Sequence, residues 1–249
     1  MFEQQLYHTV LILAGIANQS MAAALLHGNL AYRDYTVYRW ARRLVALCYV
    51  VFAIGFLMHA HFQWRYTWPA GASALSVSYF HIGAVLFGWS HTSLLNPTYP
   101  PKQVVVRDLI ILIIGVSAYW TAAITQYSIF SILYAIFFCH ALFIAYTFYH
   151  TYYRVSHQLL KMSLSRVSQF VHWMLLSCHL IIGFGIGSIV ITTCLPTAVW
   201  PYTVLLSVGI IVFVYIFFSI NDYGVVIDSA TNATEDVEEQ VLTDYQQTY

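Results

Sequence analysis

Seven long apolar runs, joined by short polar stretches, fill the chain at about 5–27, 38–59, 73–95, 104–125, 127–150, 167–192 and 199–221, to within several residues at each edge. About 20 apolar residues in a helix cross a hydrocarbon core of roughly 30 Å, and a helix satisfies its own backbone groups in lipid. The runs are continuous rather than alternating, which excludes a β-barrel. The pattern predicts an all-α integral membrane protein, a seven-transmembrane-helix bundle over residues 1–221 with a tail over 222–249. Pro69, Pro97, Pro100, Pro101, Pro196 and Pro201 are assigned to the second, third and sixth loops, where a missing N–H is harmless.

Composition agrees with the pattern: 60% of residues are hydrophobic and 8% charged, against roughly a quarter charged in a soluble domain. The ten Lys and Arg residues are distributed unevenly. Arg33, Arg39, Arg42 and Arg43 flank the first loop, Lys102 and Arg107 the third, and Arg154, Lys161 and Arg166 the fifth. Only Arg65 falls on the other side, so the positive-inside rule predicts an outside N-terminus and a cytoplasmic C-terminus. Trp64, Trp68, Trp120 and Trp200 then map to the outer interface and Trp40 to the inner one. Met1–Gln5 carry no positive charge ahead of the first run, so no cleaved leader is expected.

Histidine is the most suggestive chemistry inside the spans. His81, His140 and His179 fall near mid-depth on the third, fifth and sixth spans, and His91, His150 and His172 form a second layer toward the cytoplasmic side. The bland reading makes all six hydrogen-bonded packing contacts between helices. Proton or polar-ligand sensing is the functional reading. A third makes His81, His140 and His179, with Cys139 and Cys178, ligands of b-type haem or a metal ion; no cofactor is firmly implied. Cys48, Cys139, Cys178 and Cys194 are expected as free thiols, the first three buried.

Elsewhere the candidates are thinner. Arg39, Arg42, Arg43 and Asp108 are expected at the cytoplasmic interface, with Asp108 at the positive end of a helix dipole and Arg107 snorkelling beside it. Gly183 and Gly187 suggest close helix packing. His59 to Pro69 form an aromatic loop with Arg65, read as interfacial anchoring. The sequence shows no nucleophile elbow, P-loop, dinucleotide fingerprint or nucleic-acid patch, and both lysines lie outside the spans, where no retinal could attach. The last 28 residues carry only acidic charge; Val237, Val241, Leu242 and Tyr245 recur there at helical spacing as a stripe for a cytoplasmic protein partner, and a disordered tail is the equal alternative.

The basic first loop Tyr35-Thr36-Val37-Tyr38-Arg39-Trp40-Ala41-Arg42-Arg43 and the stretch from Gly88-Trp89-Ser90-His91 to Pro97, together with the topology, resemble the membrane-spanning sensor regions of Bacteroidetes regulators. Those regions precede a cytoplasmic output domain; here the acidic tail follows the bundle. The resemblance implies a sensory or scaffold module in a bacterial inner membrane and assigns no site residues. A haem-dependent redox protein is the alternative and a small-solute transporter the third reading.

Overall fold

A computed structural model describes residues 2–28, 32–125, 130–161, 165–195 and 197–222. Among them every regular element is helical: α1 (Phe2–His27), α2 (Thr36–Phe62), α3 (Trp64–Thr67), α4 (Pro69–Leu95), α5 (Lys102–Thr125), α6 (Phe130–Lys161), α7 (Ser165–Cys194) and α8 (Val199–Asp222). All but the single turn of α3 are long and apolar enough to cross a membrane, as the seven runs predict. The acidic tail beyond residue 222 lies outside the described residues, as does Pro196.

The boundaries differ where hydropathy reads only the apolar part of a helix. α6 runs eleven residues past residue 150, because no Gly or Pro interrupts Phe130–Lys161 and Arg154, His157 and Gln158 continue the helix as polar residues. Pro69 opens α4 and Pro201 lies in the first turn of α8, rather than in loops. The first turn needs no N–H from either residue, so proline is accommodated there.

Successive long helices alternate in direction. α4 is the hub, packing against α2, α5, α6 and α7. Its sequence mixes Gly, Ala and Ser with large apolar residues on every face, and a helix apolar all round is one that is buried all round. Small residues admit close neighbours: Gly83 lies against Phe52 and Gly88 against Ile144. The expected close contact at Gly183 is not formed, since nothing lies near that position, while Gly187 meets only Leu205.

Two buried arginines fasten the ends of the bundle. At the end bearing most Lys and Arg, the Arg42 guanidinium donates to the Leu25 carbonyl of α1 at 3.0 Å, to Tyr38 Oη at 2.9 Å and to Asn221 Oδ1 of α8 at 2.9 Å. Arg42 is therefore buried rather than at an exposed interface, because the last carbonyls of α1 need donors. Arg39 is half-buried and Arg43 exposed. At the opposite end, where Trp64, Trp68 and Trp120 cluster, Arg65 donates to Tyr202 Oη at 3.0 Å and to Ser76 Oγ at 3.2 Å. Its guanidinium lies 3.7 Å from the centre of the Tyr202 ring.

Candidate functional site

α5 buries Asp108, Leu112, Gly115, Tyr119, Ala122 and Ala123, a stripe at three- and four-residue spacing that faces α4 and α6. Two polar residues on this stripe, Asp108 and Tyr119, are eleven positions apart, so the helix separates their α-carbons by about 16 Å along its axis. His81 of α4 and His140 of α6 bridge the interval. Tyr119 Oη lies 3.2 Å from His81 Nδ1, His81 Nε2 lies 2.8 Å from His140 Nδ1, and His140 Nε2 lies 3.2 Å from Asp108 Oδ1. All four residues are nearly inaccessible, His140 being the most exposed at 6%.

The carboxylate end sets the direction of every proton in the chain. Arg107 donates from Nε to Asp108 Oδ1 at 2.8 Å, and the indole N–H of Trp89 donates to Oδ2 at 2.8 Å. An ionised carboxylate only accepts, so His140 must donate from Nε2, leaving its Nδ1 as acceptor. His81 then donates from Nε2 and accepts at Nδ1, where the Tyr119 hydroxyl donates. One tautomer assignment thus satisfies every group with both imidazoles neutral, and all donors point from Tyr119 toward Asp108.

Gly115 gives this chain its space. A Cβ there would lie 3.3 Å from His81 Nδ1 and 3.4 Å from Tyr119 Oη, wedged where ring and hydroxyl meet. At the far end Arg107 is 37% exposed and lies over the Phe143 ring, so Asp108 is buried while its cation reaches the surface. The charge of Asp108 is felt in the adjoining loop: burial, and then that carboxylate, push the Tyr99 phenol up to about 12. Asp108 was expected at the cytoplasmic interface. Within the bundle it is fully buried, because its partners come from two neighbouring helices as well as from Arg107.

The six candidate histidines do not all face the bundle interior. His81 and His140 meet directly, and His91 is buried apart from them beside Phe87 and Trp173. His150, His172 and His179 are exposed on the outside of the bundle. His179 donates from Nδ1 to its own helix at the Leu175 carbonyl, 2.7 Å away, and His172 Nδ1 lies 3.3 Å from Tyr152 Oη. The reason is angular. α7 buries Trp173, Met174, Ser177, Phe184, Ser188 and Thr192, and His179 stands about 200° round the helix from Ser177. Cys139 and Cys194 are exposed and Cys178 is half-buried, so only Cys48 is the buried thiol expected. Among the described residues no three His, Cys, Asp or Glu side chains converge as a metal site.

The sequence reading missed Tyr119, Gly115 and the part played by Trp89. The signal for the first two was the α5 stripe itself, on which Asp108, Gly115 and Tyr119 recur at helical spacing. Comparison with protein-family models, with curated proteins and with solved structures gives no match.

Proposed function

We propose that this chain is a proton-responsive sensory or scaffold module of a bacterial inner membrane, with its N-terminus outside and its basic end facing the cytoplasm. The observation carrying this reading is the single-direction chain Tyr119, His81, His140, Asp108. Intramembrane ionisable groups are expensive to keep, and a chain in which each histidine both donates and accepts can take up one proton by reversing its bonds. The groups facing the histidine pair are Trp89 from α4 and Arg107, Asp108 and Tyr119 from α5. α7, on the other side of α6, places His179 beside Tyr149 instead.

An added proton settles nearest the carboxylate, on His140. The imidazolium then competes with Arg107 for Asp108 Oδ1, which both already contact. Arg107 loosens, and the loop carrying Tyr99, with the start of α5 at Lys102, changes its presentation to a cytoplasmic partner. In lipid nanodiscs, hydrogen exchange over residues 97–107 should be faster, after correction for intrinsic rates, at about pH 5.5 than at about pH 7.5. His140→Gln and His81→Gln should both remove the difference. Equal protection at the two pH values, or a difference that survives both substitutions, would sink the reading.

The same chain supports proton-coupled solute transport as a second reading, because its hydrogen bonds run over about 16 Å of helix axis. Acid-driven proton flux into proteoliposomes, lost in Tyr119→Phe, would favour it over sensing. The haem alternative requires His81 and His140 to give up their mutual bond for iron. An oxidised and dithionite-reduced absorption spectrum of the purified protein tests it, a spectrum without haem bands ending that reading.

A further inference from the structure

His91 lies ten residues along α4 from His81, is 2% exposed, and takes no part in the proton chain. Its Nδ1 is 3.0 Å from the Phe87 carbonyl one turn earlier. A carbonyl only accepts, so Nδ1 carries the ring proton and Nε2 presents a lone pair. That Nε2 is buried and has no hydrogen-bond partner among the described residues. The rings of Trp173, Phe87 and Phe148 stand 5.7, 5.9 and 6.4 Å away. An acceptor left bare in such surroundings is unfavourable until a donor reaches it.

His91 also lines an apolar cavity of about 100 Å³ between α4, α6 and α7, closed on its inner side by Phe52 of α2 and Phe213 of α8. No charged side chain borders it. On the outer side the wall consists of Phe138 and Ile186, which are 38% and 43% exposed. At Gly185, next to Ile186, no atom of another element among the described residues lies within 4 Å of where a side chain would begin. The cavity therefore opens between α6 and α7, on the apolar surface that lipid would cover.

We infer that this cavity binds a lipophilic ring bearing one hydroxyl, a phenol headgroup whose O–H donates to His91 Nε2, and that it admits this ligand from the bilayer. Aromatic walls favour an aromatic guest by edge and offset contacts. The volume is of the order that holds a benzene ring, since an engineered cavity of about 150 Å³ does so. Water suits the site poorly, because a buried water needs about two to four polar partners and His91 is the one polar group among the lining residues apart from a thiol. A single acceptor likewise matches a ligand with a single donor.

The test uses the full chain in nanodiscs with two probes, a ring-brominated hexylphenol and the same compound without its hydroxyl, read by saturable quenching of tryptophan fluorescence, Trp173 being beside His91. One hydrogen bond to a neutral acceptor predicts that the phenol binds about 3- to 10-fold more tightly. His91→Phe should make the two probes equal, and Gly185→Leu should remove saturable quenching by both. Gly185→Leu adds bulk only to open space, so it decides the matter even if His91→Phe fails to fold. Equal binding of the probes to the unaltered protein, a phenol preference that survives His91→Phe, or saturable binding unchanged in Gly185→Leu would each overturn the assignment.

Discussion

The Arg42 clamp and the chain from Tyr119 to Asp108 are both buried polar clusters between helices, yet they differ in what a proton can do to them. Arg42 only donates, and it meets a carbonyl, a phenol and an amide oxygen whose bonding is unaffected by pH in the physiological range. It has one arrangement. His81 and His140 each donate at one nitrogen and accept at the other, and they end on a carboxylate shared with a surface-reaching arginine. That cluster has two arrangements of similar geometry. Burial and polarity alone thus do not separate the two clusters; the capacity to rearrange bonds without moving helices does.

Substitutions that separate stability from proton response test this contrast. The largest effect is expected for Asp108→Leu, which leaves Arg107, Trp89 and His140 without their shared acceptor and should lower stability by about 3–5 kcal/mol. Thermal unfolding in detergent measures the loss, and the same variant should show no pH-dependent change in loop exchange. An Asp108→Leu protein as stable as the parent would mean that the carboxylate does not hold these helices together.

Arg42→Leu should remove charge-assisted bonds worth about 1.5–3 kcal/mol while leaving the proton response intact. Unfolding temperature and pH-dependent exchange, measured on one preparation, give both halves of that expectation. If the response disappeared with the clamp, the two clusters would be one coupled system and the comparison would fail. His140→Gln should do the reverse, costing about 1 kcal/mol and abolishing the response. Tyr119→Phe is the mildest change, about 0.5–1.5 kcal/mol, since the lost hydroxyl leaves one acceptor unfilled at His81 Nδ1. Its response should survive if protons arrive from the Asp108 side and vanish if they enter at Tyr119, which sharpens the choice between sensing and transport.

Much of the architecture was legible before any coordinates. The seven spans follow from hydropathy because lipid requires length and apolarity of every crossing helix, and His81 and His140 stood out as rare imidazoles at one depth. In sequence Asp108 reads only as a carboxylate at a helix start, because its partners Trp89 and His140 are distant from it along the chain. His150, His172 and His179 looked equivalent to the buried histidines and are not.

The division has a physical cause. In water a helix announces its buried face by putting polar residues on the other, but a bilayer is as apolar as the protein interior, so both faces of a crossing helix are written in the same residues. Ile113, Ile114 and Ile211 are well exposed while Leu112 and Ile216 are buried, and nothing in their chemistry distinguishes them. Sequence by itself therefore determined how many long helices there are, the apolar stretch at the heart of each, and which ionisable residues they carry. Rotation about each helix axis was decided only by packing, chiefly by the small residues that let α4 sit at the centre. That rotation is what joined His81 to His140, turned His179 outward, and left His91 facing an apolar cavity with its lone pair unused.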